Sequence, residues 1–211
     1  MRTLALLAQK GGVGKSTLAI HLAVLAAKAG GNVLLIDLDP QHSAGDWWRA
    51  REATSPALVE TEAAELANVL KAAKAEGVTL AVIDTAPHSE AAAVTAARLA
   101  DLVLIPTRPG ILDLRAIGAT VGIVQGVKAK AAIVLNSCPP SRGLGVAEAG
   151  IVGEARQGLE DYGLPVAPVA ITQRAALSHA LIDGRAVVEY EPDGKASREL
   201  GKLWQWIEKE F

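Results

Sequence analysis

The segment Gln9-Lys10-Gly11-Gly12-Val13-Gly14-Lys15-Ser16-Thr17 constrains the chain most, because it lies between an aliphatic run, Leu4 to Ala8, and an Ala-rich run, Lys15 to Ala29. Read as strand, loop and helix, this order turns the loop's backbone N–H groups and the positive end of the helix toward one point. Gly11, Gly12 and Gly14 let the backbone curl closely around anionic oxygens, Lys15 adds a cation, and the Ser16 hydroxyl can ligate Mg²⁺. Such a loop suits the phosphate chain of a nucleotide. A glycine turn capping an ordinary helix explains the glycines, but not Gly-Lys-Ser placed after a strand.

The rest of the chain repeats the unit. Aliphatic runs at Leu4–Ala8, Val33–Asp37, Leu80–Asp84, Leu102–Pro106, Ile133–Asn136 and Val166–Ile171 read as strands, nearly all without the alternation of a half-exposed strand. Between and after them, Lys15–Ala29, Ala44–Glu52, Glu62–Glu76, Glu90–Leu99, Leu112–Gln125, Ala147–Tyr162, Ala175–Ile182 and Ala196–Glu210 read as helices. The pattern predicts an α/β fold, a doubly wound and mostly parallel sheet with both faces covered. Half of the 211 residues are hydrophobic but only 3% are aromatic, so the core is expected to be built from Ala, Val, Leu and Ile. No linker divides the chain, which reads as one domain, 1–211, with a loop at Pro139-Pro140-Ser141-Arg142-Gly143 that could be mobile.

Composition removes several function classes. With Cys138 alone there is no internal disulfide and no multi-thiolate metal site. His21, His42, His88 and His179 are scattered without metal-ligand spacing. The formal net charge is −2, so a nucleic-acid surface would have to be a local patch. No charge-free stretch exceeds twelve residues, against the ~20 of a membrane-spanning helix, and the start lacks the apolar run of a secretory signal. A cytoplasmic location is expected.

Two strands end in acids. Asp37 and Asp39 follow Val33–Ile36, and Asp84 ends Leu80–Ile83, where open α/β sheets bind ligands. An apolar strand ending in Asp is the arrangement that holds a Mg²⁺-bound water, so Asp84 is the expected metal-side residue, with Thr85–Pro87 as a switch beyond it. Asp39 could instead cap the next helix, a role compatible with one beside the phosphates. Asn136 ends another strand with an amide that can donate and accept at once, as an adenine edge requires, although an Asn also suits an ordinary turn there.

Position 9 is Gln where the common phosphate-loop pattern has Gly, and Lys10-Gly11-Gly12 follows. In this the chain resembles the ParA/MinD family of ATPases, whose deviant Walker A motif, K-G-G-x-G-K-[ST], carries a second lysine before the glycines. Asp37-Leu38-Asp39-Pro40-Gln41 with Asp46-Trp47-Trp48, Pro106-Thr107-Arg108-Pro109 before Leu112-Asp113, and Ile171-Thr172-Gln173-Arg174 look like segments of its small, ParF-like ParA subgroup. The resemblance implies ATP and Mg²⁺ as ligands, with Lys10 crossing a dimer interface to the phosphates of the other subunit. It further implies that Lys10, Lys15 and Asp39 serve catalysis, Asp39 by orienting the attacking water. Gly11, Gly12, Val13, Gly14, Lys15, Ser16, Thr17 and Asn136 would bind nucleotide, and Ser16, Asp37 and Asp84 would lie at the metal.

Proteins of that kind dimerise with ATP, coat nucleoid DNA without sequence preference, and hydrolyse ATP slowly until a centromere-bound ParB/ParG-type partner stimulates them. The implied function is therefore DNA segregation of a plasmid or chromosome, by a homodimer without a separate N-terminal DNA-reading module. Lys195, Arg198 and Lys202, spaced by three and four on the last helix, with Arg174 and Arg185 added, form the candidate DNA patch, although a solvated helix face explains them too. The alternatives are ParA-like positioning of a protein cargo and a MinD-like membrane cycle. Leu200, Leu203, Trp204, Ile207 and Phe211 recur at helical spacing for the latter, but a core-packing helix explains the same stripe and no stable membrane association is expected. An electron-transfer ATPase needs two cluster cysteines, and an amide-forming synthetase on the same loop would be found by substrate screening.

Overall fold

In the computed structural model, which describes residues 1–140 and 150–211, six strands form one parallel sheet. They are β1 (Arg2–Leu6), β2 (Val33–Asp37), β3 (Ala57–Glu60), β4 (Leu80–Asp84), β5 (Leu102–Thr107) and β6 (Ala131–Leu135), in the order β3-β2-β4-β1-β5-β6. The helices are α1 (Lys15–Lys28), α2 (Ser43–Arg49), α3 (Leu66–Ala75), α4 (Glu90–Leu99), α5 (Ile111–Gly126), α6 (Gly150–Glu160), α7 (Ala175–His179), α8 (Val187–Tyr190) and α9 (Lys195–Glu210). A 3-10 turn, Ala180–Asp183, follows α7.

Successive strand residues point to opposite faces, and here both faces are dry. Leu4, Leu6, Leu35, Val82 and Leu104 pack with α1, α2 and the α7–α9 segment. Ala5, Leu34, Ile36, Ile83 and Ile105 pack with α3–α6 on the other side. Burial on both sides is why the strands read as unbroken aliphatic runs.

The register sets the site. Leu6 of β1 and Asp37 of β2 both pair with Asp84 of β4, so the first phosphate-loop residues and the two acids leave the sheet along one edge. The chain winds outward from β1 through β2 to β3, then returns to insert β4 beside β1 and continues through β5 to β6. Ligands bind at such reversals of winding.

The structure departs from expectation in three places. The edge strand β3 was not anticipated; it has only four residues, is half-exposed, and pairs with β2 alone. Val166–Ile171 is not a strand: only Val166 bridges to Ile133, and the next isolated bridge is Cys138 with Thr172. Pro165 and Pro168 have no N–H to give, which prevents a continuous ladder. The expected helix from Ala175 divides into α7 and the 3-10 turn. Residues 141–149 lie outside the described residues, and with them most of the expected Pro139–Gly143 loop and the expected helix start at Ala147.

Candidate functional site

Gly14 precedes α1 with φ of 93° and Gly12 has φ of 73°, backbone conformations that L side chains rarely adopt. A Cβ on Gly14 would also lie 2.3 Å from the Asn136 amide nitrogen. No side chain caps α1 and its first turn holds no acid, so its leading N–H groups are left to an anion. They open on a cavity of about 650 Å³ whose lining includes Gly11, Gly14, Lys15, Ser16, Asp39 and Pro87. Lys15 is buried, which pushes its pKa down against the opposing pull of Asp84 and Asp39.

The three acids divide their work differently from the expectation. Asp37 is fully buried, and both its oxygens accept backbone N–H groups: Oδ1 from Asp39 at 2.9 Å, Oδ2 from Ala44 at 3.0 Å and Gly45 at 3.1 Å. Burial raises its pKa and these bonds oppose the rise. Asp37 is thus an internal brace of the β2–α2 loop and of the start of α2, directly beside Asp84 in the sheet. Asp39 does not cap that helix: the N-cap residue is His42, and Asp39 Oδ1 accepts the Gln41 N–H at 2.9 Å. Its carboxylate faces the cavity.

Asp84 is the opposite case. It is fully buried, and neither carboxylate oxygen has a hydrogen-bond partner among the described residues. Burial raises its pKa to about 7, helped by Asp37 and Asp39, with the neighbouring Ser16 hydroxyl and Lys15 softening the rise. An orphaned buried carboxylate beside a hydroxyl fits a hard divalent cation, which takes oxygen ligands and tolerates few protein groups when phosphates and waters complete its shell. Ser16 and Asp84 would hold Mg²⁺, which there supplies charge neutralisation at the phosphate oxygens.

Asn136 is buried, and its amide donates to the Val13 carbonyl at 2.7 Å, bracing the loop from below. Thr85 Oγ1 donates to Leu6 O at 2.8 Å, the His88 N–H to Gln9 O at 3.3 Å, and the Gln9 N–H to Thr120 Oγ1 at 3.0 Å. The loop therefore rests on β1, β4, α5 and the end of β6. Val13 is buried, Thr17 lines the cavity, and Lys10, 39% exposed, pairs with Asp113 Oδ1 of α5 at 2.7 Å. Sequence reasoning gave no role to Asp113 or Arg108, whose guanidinium donates to Gly12 O. Their position just past the C-terminal end of β5 was the available signal.

The basic candidates separate into two groups. Lys195, Arg198 and Lys202 are exposed and fall within about 60° of one another around α9. Arg174 is held by Glu199 at 2.7 Å, and Arg185 by Asp183 at 2.6 Å while it stacks on Tyr190. Each of those two is thus paired with an acid of its own chain. Leu200, Leu203, Trp204 and Ile207 are buried against α1 and the sheet, and Phe211 packs beside them, so the C-terminal stripe is core. Among the described residues no helix is long and apolar enough to cross a membrane. Cys138 is buried, as a small core thiol would be.

Residues 4–59 match the CobQ/CobB/MinD/ParA nucleotide-binding domain. The chain is 34% identical over its whole length, and over 94% of the relative, to the maintenance of carboxysome distribution protein A of Gloeobacter kilaueensis. The fold superposes on an McdA–ATP complex from Cyanothece with TM-score 0.71 at 18% identity, covering 100% of this chain and 96% of that one. It also superposes on MinD with Mg-ADP from Pyrococcus horikoshii, with TM-score 0.75 at 19% identity, covering 99% of this chain and 96% of that one. The first of these structures holds ATP and the second Mg-ADP. With its lysine-flanked glycine loop, its strand-end acids and this full-length kinship, the chain belongs to the ParA/MinD family of ATPases.

Proposed function

We propose that this chain is a cytoplasmic, nucleoid-associated positioning ATPase in which Mg-ATP joins two copies face to face, the dimer holds DNA without sequence preference, and hydrolysis separates it. The observation that carries the reading is the place of Lys10. It stands at the rim of the phosphate loop, its side chain 39% exposed, on a single ion pair to the partly buried Asp113. A lysine held by one carboxylate can exchange Asp113 for the phosphates of a second copy, where several charged oxygens can accept its N–H groups. Ile111 and Leu112, 63% and 70% exposed beside it, supply apolar surface for that contact.

In this reading Lys10, Lys15 and Asp39 serve the reaction, Asp39 by holding the attacking water, and Asn136 acts through the loop it braces and at the base. Lys195, Arg198 and Lys202 carry DNA phosphates. The whole span 1–211 acts as one unit, and a ParB/ParG-type partner stimulates turnover. Light scattering with ATPγS tests it: wild type should double in mass and Lys10→Ala should not. A Lys10→Ala dimer equal to wild type would reject the trans lysine.

The cargo has two readings. DNA segregation follows from the partition-like motifs, while the full-length similarity to a carboxysome-distribution protein favours a protein assembly as cargo. Plasmid retention and the spacing of a fluorescently marked assembly, scored in a strain lacking the protein, separate them.

A further inference from the structure

Arg108 is an exposed residue in the β5–α5 loop, and its guanidinium donates to the backbone oxygen of Gly12, inside the phosphate loop. The other exposed arginines near the cavity are arranged differently: Arg49 binds Asp46 and Glu60, and Arg185 binds Asp183. A carbonyl is a neutral partner for a guanidinium and uses one of its five N–H donors. The remaining donors are held at the glycine end of the loop, one residue from Gly11, which lines the cavity. A Cβ on Gly12 would sit only 3.7 Å from the Arg108 Nη2 atom.

The loop carrying Arg108 is also fixed on both sides. Before it, Thr107 ends a buried strand and pairs with Leu135; after it, the Gly110 carbonyl accepts the Asp113 and Leu114 N–H groups at 2.9 and 3.0 Å as α5 begins. Pro109 is buried and pins the intervening turn. Arg108 is therefore delivered to the glycines by a rigid segment, while its head group stays free to reorient.

We infer that Arg108 is a further phosphate-binding residue of its own protomer's nucleotide site, directed at the terminal phosphate of a nucleoside triphosphate. Lys15 lies at the helix end of the loop and Arg108 at the opposite, glycine end, so the two approach a bound phosphate chain from different sides. A planar guanidinium can bind a terminal phosphate through two parallel bonds, which a diphosphate lacking that group does not offer. The inference rests on the nucleotide-binding reading of the cavity.

The test is equilibrium binding of fluorescent ATPγS and ADP, each with Mg²⁺, to wild type, Arg108→Ala and Arg108→Lys, with thermal melts of each chain. Arg108→Ala should weaken ATPγS about tenfold or more and ADP by less than about threefold. Arg108→Lys, which keeps the charge but not the fork, should fall between. The same selectivity should persist when Lys10→Ala is added, because Arg108 acts within its own protomer. Equal loss of both nucleotides would mean that Arg108 merely supports the Gly12 backbone, and no loss, or selectivity that vanishes with Lys10→Ala, would also overturn the assignment. Wild type binding neither nucleotide would overturn the reading of the cavity itself.

Discussion

Replacing Asp84 by Asn should stabilise the nucleotide-free chain at pH 8 and not at pH 4.5. The carboxyl has an ordinary value of 3.8 and is raised to about 7 in the fold, mainly by burial. Below 3.8 both folded and unfolded chains hold the proton and the group is neutral to stability. Between 3.8 and about 7 only the folded state holds it, so stability falls as pH rises, and above 7 the loss is complete. At about 1.36 kcal/mol per pH unit this amounts to about 4 kcal/mol. Asn removes that cost but introduces an amide whose own burial costs about 1–3 kcal/mol. The net gain at pH 8 is therefore about 1–3 kcal/mol, or roughly 2–12 °C in Tm for a chain of this size. At pH 4.5 most of the cost has disappeared and Asp84→Asn should be neutral or destabilising. Urea unfolding in EDTA at the two pH values reads the difference directly, and Mg-ATP should raise the Tm of wild type but not of the variant. A variant equally destabilised at both pH values would show that the carboxylate is satisfied, and the assignment of Asp84 as the metal-side group would fall with it.

Gly14→Ala should lose nucleotide binding and unfold more easily, since its Cβ would lie 2.3 Å from the Asn136 amide at a φ of 93°; a variant with wild-type affinity for Mg-ADP would contradict the cradle geometry. Leu203→Ala should cost about 2–5 kcal/mol in urea unfolding, because Leu203 is fully buried. An unchanged midpoint, with liposome binding lost, would restore the membrane reading. Neutralising Lys195, Arg198 and Lys202 together should flatten the dependence of DNA affinity on log salt by about 3 per protomer, at ~0.9 per phosphate contact. An unchanged slope moves the DNA face elsewhere. His21 bridges the Leu177 carbonyl and the Val187 N–H, and burial lowers its pKa from 6.5 to about 4. Folding therefore loses about 3 kcal/mol as pH falls from 6.5 to 4, when only the unfolded chain takes up the proton. His21→Gln should remove most of that acid sensitivity, and an unaltered acid slope would refute it.

The parts of this protein that were legible before any coordinates share one property: their chemistry is carried by neighbours in the chain. The Gly11–Ser16 loop, the Val33–Asp37 strand and the Leu80–Asp84 strand each declare themselves within a few residues. Local pattern also placed α4, predicted and found at Glu90–Leu99. What stayed hidden depends on distant partners. Asp37 and Asp84 both end aliphatic strands and look alike, yet one accepts two N–H groups from the first turn of α2 and the other has no hydrogen-bond partner among the described residues. No spacing rule distinguishes them, because the difference lies in whether the next segment folds back over the carboxylate. Arg174 and Arg185 counted as positive charge until the fold brought Glu199 and Asp183 against them. The C-terminal stripe was ambiguous for the same reason: periodicity shows that one face is apolar, not what covers it.

The same distinction separates the permanent contacts of the site from the exchangeable ones. Asp37, Asn136 and Thr85 bind backbone atoms and are buried, so breaking any of them strands a polar group away from water. Lys10 is half-buried at the rim and Arg108 exposed, and each is held by one partner, the partly buried Asp113 and the exposed Gly12 carbonyl. A site that must tighten on a triphosphate and later release it needs such unequal parts. In the proposed cycle the buried bonds would keep the glycines in their curled form, while Lys10 and Arg108 would exchange their present partners for phosphate. Stiffening the second set should therefore be as harmful as weakening the first, because cations held firmly by their own protomer would no longer transfer to phosphate.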